Sequence, residues 1–424
     1  MKIAIIGTGI AGNVAARCLH RDHDITVFEA AAHVGGHTHT HRIELDGEVQ
    51  HVDTGFIVYN DRTYPHFTRL LSDLGVASQE SSMGFSVRNE RTGLEYSGST
   101  VTGLLAQRRN ALRPSFLRMV ADILRFNREA PRSLARSADE IPLSELLDRG
   151  GYSRAFRDDY LIPMGAAIWS TDPTRMLAFP ARFFVRFLHN HGMLTVNDRP
   201  VWRVVVGGSA RYVERLVAPW RDRIRLDSPV REVRRVRNRV LVTALGTTER
   251  FDHVFFACHA DDALRLLADP SPAERQVLSA FTFQRNEATL HTDTRLLPRA
   301  RRAWAAWNYH VTPDSEQRVT LTYNMNILQG LRSRRTYCVT LNRDESIDPR
   351  LIIRRLTYDH PLFTPRSVVA QERHREISGV ARIHYCGAYW RYGFHEDGVV
   401  SALQAVRRFQ ERVEHAQRDL QRVA

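Results

Sequence analysis

The sequence predicts an α/β protein in which a parallel sheet shaped for a dinucleotide is joined to an α+β part. Three observations carry that expectation. Lys2-Ile3-Ala4-Ile5-Ile6 is an apolar strand running straight into Gly7-Thr8-Gly9-Ile10-Ala11-Gly12, and Ile25-Thr26-Val27-Phe28 is a second strand ending on Glu29. Residues from about 60 to 201 read mostly as helices with a few short strands, while residues 281–375 alternate apolar and polar side chains. Period-two runs of the latter kind make an antiparallel sheet with one wet and one buried face.

The glycines of the first turn have separate uses. Gly7 permits the tight turn, Gly9 lets a pyrophosphate approach the backbone, and Gly12 allows the helix to pack closely. The helix that begins at Ile10 and Ala11 presents its positive end to the phosphates. Glu29, followed by Ala30, stands where a carboxylate accepts hydrogen bonds from ribose hydroxyls. A glycine-rich turn alone is weak evidence, but strand, turn, helix, strand and acid in register are strong.

At 424 residues the chain has room for two or three domains with sizeable cores. The first strand begins at residue 2, which leaves no room for a cleavable leader, and no apolar run reaches spanning length. The expected location is cytoplasmic, or peripheral on the inner face of the cell membrane. Cys18, Cys258, Cys338 and Cys386 lie far apart without a Cys-x-x-Cys pair, so no metal site or disulfide framework is expected.

The net charge is +13, and Lys2 is the only lysine, so arginine supplies nearly all the positive charge. Eight arginines fall within residues 104–136 against Asp122 and Glu129, interleaved with Leu112, Phe116, Leu117, Met119, Val120, Ile123, Leu124 and Phe126. Such a pattern suits either a helix lying on an anionic membrane surface or a core-facing helix with a solvated side. The expected partners are an anionic membrane surface and no nucleic acid.

After Glu29 come Gly35-Gly36-His37-Thr38 and then Asp53-Thr54-Gly55-Phe56. His37, His39 and His41 alternate as on one strand face, where a cofactor-contacting histidine is the better reading than a metal site because no acid stands at ligand spacing. Together with Glu29 these residues resemble the opening of the flavin amine oxidase and phytoene desaturase superfamily. Val230, the strand ending Ala257-Cys258-His259, and Cys386-Gly387-Ala388 followed by Gly393-Phe394-His395-Glu396-Asp397-Gly398-Val399 resemble its later motifs. The resemblance implies a Rossmann-like FAD-binding domain of the amine oxidase type with an α+β substrate domain, part helical and part antiparallel sheet. The expected division is 1–59, 197–265 and 376–424 for FAD, and 60–196 and 266–375 for substrate.

By the same resemblance FAD is held by Gly7, Gly9, Ile10, Ala11, Gly12, Glu29, Ala30, Gly35, Gly36, His37, Thr38, Asp53, Thr54, Gly55, Phe56, Val230, Cys258 and Gly387. Glu396, Asp397, Gly398 and Val399 complete the set at the N-terminus of the last helix, with Asp397 expected as its N-cap. Ala388 departs from the family pattern, in which an acid often follows the glycine. Many amine-oxidising members use a lysine that holds water at the flavin, and Lys2 inside the first strand is no candidate.

Trp304 to Tyr309, Met325 to Gln329 and Tyr392 to Gly398 look like a bacterial branch of predicted FAD-binding oxidoreductases associated with cyclopropane-fatty-acid-synthase-like enzymes. That branch implies a fatty-acyl lipid, or another hydrophobic small molecule, and a methylated fatty-acid desaturase-like reaction. The expected base is His395, then Glu396, although either is also placed to cap the helix or position the ring. Tyr392 and Phe394 would wall the substrate side. Trp169 is a further candidate wall residue, and Asn308 and Asn324 are either substrate contacts or cross-strand ties, with ties favoured.

Overall fold

The computed structural model describes all residues except 137–140, 196–198, 314–317 and 424, and the side chains of all but these, 133–136 and 416–423. The elements that position the site are, in chain order, β1 (Lys2–Ile6), α1 (Ile10–Leu19), β2 (Asp24–Phe28), α2 (Pro65–Asp73), β3 (Phe85–Asn89), β4 (Leu94–Ser97), α3 (Pro114–Arg136), α4 (Ala181–Asn190) and β5 (Ile224–Arg225). They continue as β6 (His253–Phe256), β7 (Thr282–His291), β8 (Trp307–Val311), β9 (Leu321–Asn324), β10 (Cys338–Leu341), β11 (Ile352–Leu362), β12 (Ile383–Tyr385) and α5 (His395–Val423).

Five strands form an open parallel sheet in the order β5-β2-β1-β6-β12. Ile3, Ala4, Ile5 and Ile6 are buried on both faces, which is why β1 reads as an unbroken apolar run. On one face α1 packs through Ile10, Ala11, Val14, Ala15 and Leu19 against α5, which contributes Val399, Ala402, Ala405, Val406 and Phe409. The alanines let the helices approach closely. Residues 230–251 form a separate three-stranded meander, while β5 and β6, on either side of it in the chain, join the parallel sheet.

The second layer is a seven-stranded sheet in the order β11-β7-β10-β9-β8-β3-β4. Its last five strands in the chain answer to the period-two pattern. The β3–β4 hairpin, expected from residues 83–96, extends that sheet, with β3 parallel to β8 and Phe85 opposite Trp307. A pairing between segments so far apart in sequence has no periodic signature. Ser86 Oγ donates to Asn308 Oδ1 at 2.8 Å across the join.

Two sequence expectations are revised. The apolar run Ile383 to Trp390 reads as one strand reaching the cofactor, but it is a strand only to Tyr385, because the chain turns at Ala388–Trp390 to reach the last helix. The basic stretch is not one helix: a short helix at Val101–Leu104 and a 3₁₀ turn at Arg108–Leu112 precede α3, where Pro114 opens a new helix without needing an N–H partner.

Candidate active site

The C-terminal ends of β1, β2, β6 and β12 point to one edge of the parallel sheet, where ligands bind in open α/β folds. Among buried strands and helices that edge carries partly exposed residues: Gly7, Gly9, Glu29, His37, Gly55, Phe56, Ala257, Cys258, His259, Ala388, Tyr392, Gly393 and Phe394. They outline a cleft running from the first turn to the N-terminus of α5.

The first turn is tight. Gly7 has φ +106°, and a Cβ there would crowd the Ala257 carbonyl oxygen at 2.9 Å. A Cβ on Gly12 would run into the Gly7 carbonyl oxygen. Gly9 differs: nothing lies within 4 Å of where its Cβ would be. Gly9 is also the N-cap of α1 and offers no side chain to satisfy the first N–H groups, leaving them to an anion. Open space, free donors and a positive helix end fit a pyrophosphate.

Glu29 receives the Thr8 backbone N–H at 2.9 Å and the Thr8 hydroxyl on Oε2, and the Ala31 N–H at 2.9 Å on Oε1. These bonds aim the carboxylate along the cleft and leave acceptor capacity for a ribose. Gly35 donates to Thr8 Oγ1 at 3.2 Å, bringing the second glycine pair under the first turn. Beyond it, His37 Nε2 is buried without a hydrogen-bond partner. Burial, reinforced by His360, His259 and His395, holds that imidazole neutral, well below its usual range. An orphaned nitrogen beside the phosphate turn is the kind of group a bound cofactor satisfies.

Other nominated residues face inward. Asp53 is fully buried: its carboxylate accepts from Thr40 Oγ1, from the Ser209 N–H and hydroxyl at 3.0 and 2.8 Å, and from Gln329 Nε2 at 2.9 Å. Burial pushes its pKa up to about 6, the donors partly offsetting the rise. Thr54 shares a hydrogen bond with Tyr358 Oη at 2.7 Å. Asp53 and Thr54 therefore brace the hairpin that carries Gly55 and Phe56 rather than turning toward the cleft. Gly387 donates its N–H to Ser401 Oγ at 3.1 Å, and the half-exposed neighbour on the cleft is Ala388. Val230, 8% exposed, begins the meander opposite Ala244.

His395 and Glu396 were nominated as bases, and their contacts describe other roles. The His395 ring stacks on Phe56 with centroids 3.4 Å apart, and Nε2 lies 3.0 Å from Thr38 Oγ1 and 2.8 Å from Tyr212 Oη. Burial holds its pKa down at about 3, which makes it a poor proton acceptor at neutral pH. Glu396, 6% exposed, accepts the His66 and Phe67 backbone N–H groups at 3.1 and 2.9 Å and His66 Nδ1 at 2.6 Å. It caps α2 from across the core. Asp397 lies inside the first turn of α5 rather than at the N-cap, and accepts the Phe394 N–H at 3.0 Å. Burial lifts Asp397 to about 7, against the opposing pull of that N–H and of Arg391 at 3.6 Å.

Glu396→Ala should accordingly lower stability by about 1–3 kcal/mol, because it leaves the buried Phe67 N–H without its acceptor at the start of α2. Thermal melts and flavin absorbance of the same sample check this. A wild-type melting temperature with lost turnover would instead return Glu396 to a proton-transfer role.

The nominated aromatic residues do converge. Tyr392 packs on Phe183 and Phe187 at 4.6 and 5.5 Å, Phe394 stacks on Phe187 at 5.0 Å, and Trp169 Nε1 donates to the Tyr392 carbonyl at 3.1 Å. Asn308 and Asn324 lie apart from them. Asn308 Nδ2 donates to the carbonyls of Ala305 and Thr322, and Asn324 Oδ1 caps the turn at Met325–Leu328. Asn308 is a cross-strand tie, the role favoured for both, whereas Asn324 caps the short helix that follows it. A polar set that the sequence did not reveal faces His37 from the second sheet: Tyr358 and His360 on β11 lie 5.1 and 5.5 Å from its ring, and Asn286 on β7 donates to His360 Nδ1 at 3.0 Å. These residues alternate within ordinary strands, so spacing alone could not single them out.

A model of the flavin containing amine oxidoreductase family matches residues 10–297. The chain is 27% identical over 261 residues to amine oxidase [flavin-containing] B of Sus scrofa, covering 58% of this chain and 47% of that protein. It thus spans about half the length of the curated relatives it matches. Cyclohexylamine oxidase from Brevibacterium oxydans IH-35A superposes with a TM-score of 0.71 at 15% identity, over 97% of this chain and 99% of that one. The CLA-producing fatty acid isomerase from P. acnes does so with a TM-score of 0.68 at 15% identity, over 96% and 98%. At such identities the structural likeness is one of fold. The family match runs from the first helix through the helical middle to the first long strand of the second sheet, about two thirds of the chain, and the chain belongs to the flavin containing amine oxidoreductase family, with FAD as its cofactor.

Proposed function

We propose that this flavoprotein is an oxidoreductase that removes two hydrogens from a lipid acyl chain, with a methylated fatty acid within a phospholipid as the substrate class. The observation that carries the reading is a buried aromatic group that reaches the cleft through the partly exposed Tyr392 and Phe394. Trp169, Phe179, Phe183, Phe187, Phe363, Tyr392 and Phe394 form one aromatic group. An alkyl chain has no group to hydrogen-bond, so it is held by dispersion against such faces, which also exclude water.

FAD, when bound, supplies the two-electron acceptor. Tyr392 and Phe394 immediately precede α5, so the wall and the positive end of that helix belong to one loop. That helix end would stabilise negative charge on a flavin held there. One carbon gives up a hydride, its neighbour a proton, and a double bond forms between them. Oxygen or a quinone takes the electrons onward. We assign the role of proton acceptor to Asp397 rather than His395 or Glu396, since its carboxylate, raised to about 7 by burial, sits in the first turn of α5 on the Phe394 N–H.

The names of the amine oxidases among the relatives favour an amine. Against it stand the net charge of +13 and the position of the only lysine, whose Nζ is tied to Glu249 at the start of β1. The fatty acid isomerase of like fold favours a second reading, in which the hydride returns to the chain.

Anaerobic mixing of the FAD-loaded protein with phospholipids or with primary amines tests the proposal. Phospholipid is expected to bleach the flavin and yield a product lacking two hydrogens. Bleaching by amines alone would overturn the reading, and a product of unchanged mass would select isomerisation. Asp397→Asn should keep flavin and lose about 10²-fold or more in turnover.

A further inference from the structure

Single exposed apolar side chains are ordinary on a protein surface, but contiguous ones mark contact sites. Among the described residues five leucines are strongly exposed, and four of them fall within residues 105–124: Leu105 at 37%, Leu112 at 85%, Leu117 at 52% and Leu124 at 57%. Val101, 72% exposed, stands just before them.

Their placement is regular. α3 buries Phe116, Met119, Phe126 and Ala130 against the core. Leu117, Ala121, Leu124 and Arg128 follow at helical spacing on the opposite, exposed side. Arg108, Arg109, Arg118 and Arg132 are exposed around them. The acids of the stretch are already engaged: Asp122 is buried between Arg118 and Arg125, and Glu129 pairs with Arg128. No helix among the described residues is long and apolar enough to cross a membrane.

We infer that this face, residues 101–132, docks on an anionic phospholipid surface. The leucines enter the boundary between headgroups and acyl chains, and the arginines pair with phosphates. Charge decides between occupants, because a second copy would bring its own arginines against these. The docking deepens the acyl-lipid reading and rests on it for its purpose: α3 packs directly on α4, which carries Phe183 and Phe187 of the aromatic wall. One helix layer then separates the membrane from the wall.

Flotation of the full-length holoprotein with vesicles tests this, using phosphatidylcholine alone or with about one third phosphatidylglycerol. Binding is expected only with the anionic lipid, and should fall about tenfold or more between low and high salt. The variant L112Q/L117Q/L124Q should lose that binding while keeping its flavin and its melting temperature, since these side chains pack on nothing inside. Equal binding to both vesicles, or undiminished binding by the variant, would overturn the inference. So would a dimer that the same variant dissociates, which would assign the face to a second copy. Vesicle binding by a protein that oxidises no lipid supports the docking while removing the acyl reading. Oxidation of detergent-dispersed lipid without vesicle binding does the reverse.

Discussion

Gly9→Trp is expected to give a folded, colourless protein. No protein atom lies within 4 Å of where a Gly9 Cβ would project, so a side chain leaves the backbone there without striking it. The volume it occupies is the approach of the phosphates to the N-terminus of α1. Gly12→Val provides the contrast. Its Cβ would strike the Gly7 carbonyl, so α1 would be forced off β1 and the fold itself should suffer. Circular dichroism and flavin absorbance of the two purified variants separate the effects. Gly9→Trp should keep its secondary structure, and added FAD should not restore the visible spectrum. Stoichiometric flavin in that variant would move the pyrophosphate away from the first turn.

Stability should collapse steeply on acidification, well before ordinary carboxylates are protonated. Seven histidines are buried among the described residues: His41, His191, His291, His310, His374, His384 and His395. In each, burial is the leading cause of a depressed pKa. His41, His191, His291 and His374 are held at about 4, His395 at about 3, His310 at about 2, and His384 well below its usual range. Their folded values lie below the unfolded value of 6.5. Their contribution is therefore present above that pH and is lost as the pH falls through the folded values. Each histidine that charges only in the unfolded chain removes about 1.4 kcal/mol per pH unit.

Two buried carboxyls act in the opposite sense. Asp53 and Asp397 have folded values raised to about 6 and about 7, so their contribution is greatest below the unfolded carboxylate value and is lost as the pH rises to those values. Seven groups outweigh two, and a total stability of about 5–15 kcal/mol would be spent within one to two pH units below 6. Melting temperature measured from pH 8 to pH 4.5 should fall sharply in the acid half, with proton uptake on unfolding. A flat profile down to pH 5 would mean that these imidazoles reach water in the native state.

The cofactor half of the fold was legible because its signals are local. A buried parallel strand, a glycine turn and a helix within residues 2–19 must be adjacent in space, since no chain is available to separate them. The closing stretch at residues 393–399 was legible for the same reason: the loop and the helix it opens are contiguous. The β3–β8 pairing was not, because a ladder between residues more than 200 positions apart follows from packing of whole layers.

The roles of single polar residues were the least legible. Glu396 sits next to His395 at the cleft end of α5, and nothing in its neighbours says that its carboxylate reaches α2. Asp53 looks like a cofactor contact beside Gly55 until Ser209 and Gln329 arrive from distant segments to enclose it. His395 is a histidine near a cofactor in sequence. Only the burial supplied by Phe56, Thr38 and Tyr212 makes it too weak a base.

By itself the sequence determined a dinucleotide site on a parallel sheet, because these depend on residue type and short-range period, and its resemblance to a known family narrowed the dinucleotide to FAD. The tertiary structure decided which side chains face the cleft, which are consumed as braces, and that the leucines at 105–124 remain outside. Those outcomes depend on which distant segment covers a given side, a property of the packed layers that no local pattern contains.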